Sequence, residues 1–342
     1  MGGEPRYYLE QPQGVLMRIS NLVRKCVGFV GIRGEGAEIK YGGTVFFVKI
    51  SEDGLPFSYM VTAKHVAEEL EGSDCVIRLN DKQGKSVILE ATGVKWWYHP
   101  TESASVDSAV RPFFYKGHEH LDVTTIANTI FATREIIDEY EIGIGDEIYV
   151  AGLFTRVTET AKNQPVLRTG NLAMMPDEKI EFNKFGLIDA YLIETKSFSG
   201  LSGCPVFVRH TVSTPLTQEA DGPPIGKFKR LYGGGSSYLL GSLIGRWVVP
   251  EGTDPTLAEA LNVGISAVVP IYKILEVINH PELVEMRKIV KEQYRKKKAA
   301  TTVLDTSFGE AAQTTEEGEE IPIPDESQFF TDLKKASRKK NH

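Results

Sequence analysis

Residues 197–207 read SFSGLSGCPVF, in which Ser202 lies between Leu201 and Gly203, two positions after Gly200, and an apolar run follows at once. Glycine and serine are ordinary turn residues, so one interpretation of this stretch is a tight turn that leads into a strand. The other interpretation is a nucleophilic hydroxyl beside a pair of backbone N–H donors. Features elsewhere in the chain distinguish the two.

The composition is that of a globular protein. The chain has 342 residues, of which 41% are hydrophobic and 25% charged, with a net charge of −7. This length suits one large domain or two modest ones, and it can bury a sizeable core without disulfides. The three cysteines, Cys26, Cys75 and Cys204, lie in apolar stretches with no metal-ligand spacing. They predict buried thiols in a reducing compartment and no bound metal.

The first residues, MGGEPRYYLEQPQG, carry charges and prolines where a signal peptide needs an apolar segment. A myristoylation signal is excluded because Arg6 stands where serine or threonine is required. No apolar run approaches the roughly 20 residues that span a bilayer. We therefore expect a cytoplasmic protein without a membrane partner.

Many short β-branched or aromatic runs alternate with Gly, Pro, Asn and Asp, and little helix is predicted between them. They favour an all-β fold of antiparallel barrels or sandwiches. Residues 126–140, helical or loop-like, would bridge two β halves. The predicted strands are residues 26–32, 44–50, 59–63, 75–79 and 86–98 in the first half, and 147–154, 165–175, 187–194, 205–209, 238–247 and 262–269 in the second.

The C-terminal part begins with a helical pattern from Pro270, which Pro281 interrupts, so that two helices are expected to meet near His280. From residue 299 the sequence is small, polar and acidic, which predicts a disordered charged tail. The basic runs 295–298 and 334–340 flank it. A solvated tail is the favoured interpretation, since a net charge of −7 argues against a nucleic-acid partner.

A base for Ser202 has to come from the seven histidines, at positions 65, 99, 118, 120, 210, 280 and 342. His99 precedes a proline and is expected in a turn, while the pair His118 and His120 lacks a third metal ligand and is expected at the surface. His65 differs, because it follows an apolar strand and is placed to face a cleft. A half-buried, hydrogen-bonded structural histidine is the alternative there.

A carboxylate that could orient His65 occurs in SVDSAVRPF, where Asp107 directly precedes a short apolar stretch. Such an aspartate is either a turn residue at a strand start or the buried partner of a histidine. Asp122 is a weaker competitor.

Three segments together resemble the trypsin- and chymotrypsin-like serine proteases: VTAKHV (61–66), DSAV (107–110) and SGLSGCPVF (199–207). Their order, His then Asp then Ser, is the order of that family. YVAGLF (149–154) and LRTGNLAM (167–174) are similar to the first strands of its second barrel, and LLGSLIGRW and NVGISAVVP to its last two. This last pair is nearest the HtrA-like bacterial branch, and the resemblance spans about residues 24–280.

The resemblance implies two antiparallel six-stranded β-barrels, followed by C-terminal helices and the tail. Residues 1–23 would be an N-terminal extension, 24–135 the first barrel with His65 and Asp107, and 136–280 the second barrel with Ser202. A helix over 281–298 and the tail 299–342 would complete the chain.

The resemblance also implies roles. Ser202 would attack the scissile carbonyl, His65 would take its proton, and Asp107 would orient the imidazole ring. The N–H groups of Gly200 and Ser202 would form the oxyanion hole. An extended substrate would pair with a strand that consists of Leu243, Ile244, Gly245 and Arg246.

Two departures from the family pattern matter. Leu201 stands where cleavage-activated members carry an aspartate, so activation by insertion of a new N-terminus is not expected. Cys204 replaces a glycine and is expected in the core. In the segment Lys196, Ser197, Phe198, the lysine would lie near the floor of the specificity pocket and Arg246 in its wall, which would favour an acidic substrate side chain. A solvent-facing lysine is the preferred alternative.

The leading functional hypothesis is therefore a serine endopeptidase that cleaves a protein or peptide and needs no cofactor. The alternative is a catalytically silent or latent scaffold of the same fold that binds a peptide or protein partner. Leu201 and the missing activation segment keep this alternative open. Nothing in the sequence sets the oligomeric state.

Overall fold

The computed structural model describes residues 19, 22–93, 95–114, 117–154, 161–182, 185–195, 200–209, 237–246 and 264–307. For Ala37, Arg246 and residues 297–307 only the backbone is described. No helix in this part of the chain is long and apolar enough to cross a membrane.

The described residues form a mostly β structure with helices between and after the strands. The strands are β1 Val27–Arg33, β2 Ile39–Glu52, β3 Leu55–Thr62, β4 Cys75–Asn80, β5 Ser86–Glu90, β6 Trp97–Tyr98, β7 Ala109–Pro112, β8 Ile126–Ala127, β9 Glu147–Gly152, β10 Val166–Met174, β11 Ile180–Glu181, β12 Leu187–Ile188, β13 Tyr191–Glu194, β14 Pro205–Arg209, β15 Ser237–Arg246 and β16 Ile265–Pro270. The helices are α1 Leu22–Lys25, α2 Lys64–Leu70, α3 Arg134–Tyr140, α4 Ile271–Ile278 and α5 Pro281–Ser307, with 3₁₀ turns at Glu35–Ala37 and Asn128–Ile130.

The second half forms a closed barrel of six antiparallel strands in the order β10-β13-β16-β15-β14-β9. Its interior is filled by alternate apolar residues of the strands, such as Val150, Ile193 and Val268, all fully buried. Closure leaves none of these six strands at a sheet edge, while β11 and β12 form a separate two-stranded sheet. The predicted six-stranded barrel is confirmed here.

The first half is an eight-stranded sheet in the order β5-β4-β1-β2-β3-β7-β6, with β8 parallel to β2. The predicted closed barrel is not found among the described residues, because β5 and β6 at the two ends of the sheet do not pair. The run 86–98, predicted as one strand, divides into these two short strands. Leu89 of β5 and Tyr98 of β6 nevertheless pack on the same core as Phe47, so the sheet curls around one interior.

A shared core joins the two halves. Phe46 of β2, Tyr149 of β9, Phe207 of β14 and Ile274 of α4 belong to one buried apolar cluster. The rings of Tyr149 and Phe207 stack with their centroids 5.0 Å apart. Apolar packing between buried side chains therefore holds the two halves together.

The C-terminal helices meet at Asn279 and His280, and α5 begins at Pro281, as the position of this proline predicts. Helix α5 then continues to Ser307, past Lys298, where order was expected to end. Ala299 and Ala300 are strong helix formers and favour continuation of the helix beyond Lys298. The rest of the predicted tail, residues 308–342, lies outside the described residues.

Candidate functional site

His65 lies in the first turn of α2, directly after β3 ends at Thr62. The helix places Val66, Ala67 and Leu70 in the core of the first half. His65 points away from this apolar face, and its side chain is 24% exposed. The ring of Phe185, from the turn between β11 and β12, lies with its centroid 6.2 Å from that of His65.

Asp107 is almost fully buried and contacts His65 twice. Its Oδ1 accepts a hydrogen bond from the His65 backbone N–H at 2.9 Å, and its Oδ2 lies 2.8 Å from Nδ1 of the ring. The pairing of β7 with β3, in which Ala109 faces Thr62, brings the two residues together. Because an ionised carboxylate only accepts, the proton of the neutral ring resides on Nδ1 and the Nε2 lone pair is left free.

The competing carboxylate, Asp122, contacts a different residue. Its Oδ1 lies 2.8 Å from Nζ of Lys25. The structure thus brings Asp107 and not Asp122 to His65.

Ser202 lies in the loop that leads into β14, and this loop is pressed against the first half. Gly203 adopts a φ of +79°, and a Cβ there would lie 2.4 Å from Thr62 Oγ1 and 2.7 Å from the Ala63 nitrogen. Only glycine fits this position, for both reasons. The residue after Ser202 therefore contacts the chain just before His65.

The Ser202 hydroxyl is directed toward β15. Its Oγ donates to the Ile244 carbonyl at 3.2 Å. Among the described residues, no hydrogen bond joins Ser202 Oγ to His65. The structure therefore brings His65 and Asp107 into contact, while the serine lies on the same interface with its hydroxyl turned to a backbone carbonyl.

The backbone around Ser202 is held by its neighbours. The Leu201 carbonyl accepts from the Cys204 N–H at 3.0 Å, and the Gly203 N–H donates to the Leu243 carbonyl at 2.8 Å. Because a trans peptide directs its N–H opposite to its C=O, the first bond fixes the direction of the Ser202 N–H. Within the described part of the chain the N–H groups of Gly200 and Ser202 donate to no acceptor.

Leu201 and Cys204 are both fully buried and pack in the core of the barrel. Burial raises the pKa of the Cys204 thiol, which keeps it protonated and unreactive. Cys204 is thus a core residue, as expected, and the Leu201 side chain occupies an apolar site beside it.

The strand predicted to bind substrate is mostly engaged within the protein. The side chains of Leu243 and Ile244 are buried, and the backbone of Leu243 bonds to Gly203 and Cys204. The ladder with β14 ends at Ser242, so the backbone of Gly245 and Arg246 extends beyond it. The predicted pocket residues Lys196, Ser197 and Phe198 lie outside the described residues.

His99 lies directly before the turn that begins at Pro100, as expected, and its side chain is buried. Its Nε2 lies 2.6 Å from Glu276, and its Nδ1 accepts the Glu102 N–H at 2.9 Å. These three side chains have the spacing of a metal site. The Lys273 ammonium, however, lies 2.8 Å from Glu102 and 3.6 Å from Glu276 and supplies the positive charge there.

Two residues of the site were not predicted, Thr44 and Phe185. Thr44 follows Gly42 and Gly43, and this pair of glycines before an apolar run was the only sequence signal for a special backbone there. Phe185 carried no signal.

Known proteins similar to this chain are found among solved structures, at low sequence identity. No protein-family model and no curated protein matches the chain. Among solved structures the chain is similar to Deg5, with 14% identity over 74% of this chain and 86% of that one, at a TM-score of 0.40. It is also similar to a thermostable serine protease, AL20, from an extremophilic microorganism, with 11% identity over 73% and 92% of the two chains, at a TM-score of 0.38. At this level of similarity neither structure assigns a family or an activity to the chain.

Proposed function

We propose that this protein is a serine endopeptidase in which Ser202, His65 and Asp107 form a catalytic triad. The observation that carries the proposal is the double contact between Asp107 and His65, which orients the ring and leaves Nε2 as a base. Within the described part of the chain the N–H groups of Gly200 and Ser202 have no acceptor, and this supports the proposal independently, since an oxyanion hole requires donors that are not already bonded.

In the proposed reaction Ser202 Oγ attacks the carbonyl carbon of the scissile bond while His65 Nε2 takes its proton. The tetrahedral intermediate carries an oxyanion that accepts from the Gly200 and Ser202 N–H groups. His65 then returns the proton to the leaving amine, and the C–N bond breaks to give an acyl-enzyme. Water, activated by the same ring, hydrolyses the ester.

The Ser202 hydroxyl has to turn from the Ile244 carbonyl to His65 Nε2 before it can react. This is a rotation about χ1 between staggered positions, which a half-buried side chain makes quickly. In unliganded enzymes the hydrogen bonds of the reacting groups are often not yet formed. A substrate strand that pairs with the backbone beyond Ser242 would lie beside this carbonyl.

The hydrogen bond from Ser202 Oγ to the Ile244 carbonyl favours a second candidate function, a latent or silent scaffold that binds a peptide or protein without cleaving it. In that case the Ser202–Ile244 bond is the resting state of an unused serine. Leu201, in place of an activating carboxylate, is consistent with this alternative as well.

Labelling with a fluorophosphonate probe separates the two. The purified protein, its Ser202→Ala and His65→Ala variants and the exposed-serine control Ser51→Ala are treated in parallel. For an endopeptidase, wild type and Ser51→Ala label and the other two do not. If folded wild type stays unlabelled, alone and with added peptides, the endopeptidase proposal is wrong and the scaffold is favoured.

A further inference from the structure

Among the described residues Thr44 forms four hydrogen bonds, of which two hold the loop of Ser202 and a third holds Leu153, directly after β9. Its N–H donates to the Ser202 carbonyl at 3.0 Å, and its Oγ1 donates to the Gly200 carbonyl at 2.8 Å. The same Oγ1 accepts from the Leu153 N–H at 3.0 Å, and its carbonyl accepts from Thr62 Oγ1 at 2.7 Å. Thr44 is fully buried.

Two of these bonds fix the peptide planes on both sides of the Leu201–Ser202 peptide. The carbonyl of Gly200 belongs to the peptide before Leu201, and the carbonyl of Ser202 belongs to the peptide before Gly203. Each peptide is planar, so an anchored carbonyl also fixes the N–H of the following residue. The peptide between them, which bears the Ser202 N–H, is anchored by the bond from Cys204 to Leu201. Gly200 itself has a φ of +98°, a conformation open to glycine and disfavoured for other residues.

The fold of β2 is shaped to present Thr44 in this place. The register between β1 and β2 shifts just before Thr44, where Gly42 is the extra residue. Gly43 lies against Val66 of α2, which a Cβ at Gly43 would approach to 2.6 Å. Bulges commonly re-aim a side chain next to a functional site. Thr44 is thereby held between α2, which carries His65, and the loop that carries Ser202.

We propose that Thr44 is the positioning residue of this site: its hydroxyl holds the Gly200–Cys204 loop so that the loop's N–H groups converge on an oxyanion without an activation step. The proposal rests on the proposed function. Leu201 cannot form the ion pair that orders this loop in cleavage-activated members of the resembled family. The threonine hydroxyl, together with the buried Leu201 side chain, takes over that task here.

The test compares Thr44→Val, which loses the hydroxyl and keeps the shape and the backbone N–H, with Thr44→Ser, which keeps the hydroxyl. Ile278→Val, on α4 away from the site, controls for a modest loss of core packing. The rate of fluorophosphonate labelling is measured over a range of probe concentrations, with hydrogen exchange of the Gly203 and Cys204 amides on the same samples.

We expect Thr44→Val to label about 10- to 100-fold more slowly at saturating probe, with little change in the half-saturating concentration, because oxyanion donors act on the transition state. Its Gly203 and Cys204 amides should exchange at least tenfold faster. Thr44→Ser and Ile278→Val should stay within about threefold of wild type in both measurements, since neither removes an oxyanion contact.

Three outcomes would overturn the proposal. If wild type labels and folded Thr44→Val labels at the same rate, Thr44 does not position the loop, while the endopeptidase proposal stands. If Thr44→Val does not fold, the test rests on Thr44→Ser. If Thr44→Ser labels 10- to 100-fold more slowly than wild type although it keeps the hydroxyl, the hydroxyl does not position the loop. If wild type does not label at all, the proposed function fails and the role of Thr44 fails with it.

Discussion

The carboxylate of Asp107 accepts two hydrogen bonds from one residue, His65, and uses a different oxygen for each. The backbone N–H of His65 binds Oδ1 and the ring Nδ1 binds Oδ2. The backbone bond keeps the carboxylate in place independently of the ring, so that the ring is aligned against a fixed acceptor. This relationship sets the tautomer of His65, on which the proposed reaction depends.

Replacing Asp107 by Asn should therefore leave the fold intact and abolish most activity. The amide NH₂ would donate to Nδ1, which moves the proton to Nε2 and removes the base. In a triad this costs about 10⁴-fold in kcat, and we expect a loss of that order in peptide hydrolysis or in the labelling rate. Asp122→Asn is the matched control and should keep wild-type activity. Equal activity of the two variants would exclude a catalytic role for Asp107.

Gly203→Ala tests the close contact between the nucleophile loop and the segment before His65. The new methyl would lie within 2.5 Å of Thr62 Oγ1 and the Thr44 carbonyl oxygen, at a positive φ. Overpacking and backbone strain each cost about 1–3 kcal/mol, so we expect a loss of about 3 kcal/mol or more in the free energy of unfolding by urea. Gly42→Ala, which meets no atom within 4 Å, should change it by less than about 1 kcal/mol. A neutral Gly203→Ala would mean that the loop is not held against Thr62.

Arg287 of α5 is predicted to fix the C-terminal helix to the first half. It is 3% exposed, and its guanidinium donates to the Tyr59 hydroxyl, the Ile278 carbonyl and Asn279 Oδ1 at 2.7–2.9 Å. Its Nε also forms an ion pair with Glu52 at 2.8 Å, without the alignment of a hydrogen bond. Arg287→Met leaves these partners buried without a donor and should lower the free energy of unfolding by about 3 kcal/mol.

The control for this prediction is Arg295→Met on the same helix. Arg295 is 71% exposed and contacts only the exposed Asp53 among the ion pairs described, at 3.3 Å. Exposed pairs contribute about 0–1 kcal/mol, so urea unfolding of this variant should differ little from wild type. If both variants were equally stable, the buried network would not hold the helix.

The sequence predicted most of the strands but not how the first half closes. Hydrophobic alternation located the strands of the second barrel to within a few residues. The strand β7, Ala109–Pro112, was missed because it has four residues and contains Arg111, which is buried despite its charge. Closure of a barrel depends on whether two short strands pair, and β5 and β6 do not. Local patterns carry no information on such pairing.

For the site, the sequence indicated His65, Asp107 and Ser202 through three short segments in a known order. The glycine pair before Thr44 indicated a special backbone but not the role of Thr44, because the bond from Thr44 to Gly200 joins residues 156 positions apart. The burial of His99 was not predicted for a similar reason. Its partner Glu276 lies on α4, and only tertiary packing brings them together.

The stability of the protein in acid depends on Glu102. Hydrogen bonds from Lys273, and then from Lys179, lower the pKa of Glu102 below its ordinary value of 4.5. The unfolded chain takes up a proton near pH 4.5, whereas the folded protein does so only at lower pH. Glu102 therefore contributes stability that is fully present above pH 4.5 and is lost as pH falls through the folded pKa.

Glu102→Gln removes this contribution. The variant should be less stable than wild type at pH 7 by about 1 kcal/mol, a value that takes account of the partial exposure of the carboxylate. The difference in Tm between wild type and Glu102→Gln should shrink as the pH is lowered from 5 to 3, because Glu102 of the wild type is then protonated and no longer pairs with Lys273. Glu178→Gln, an exposed carboxylate outside this cluster, should follow wild type at every pH. A constant gap between Glu102→Gln and wild type down to pH 3 would show that the Lys273 contact is not what keeps Glu102 ionised.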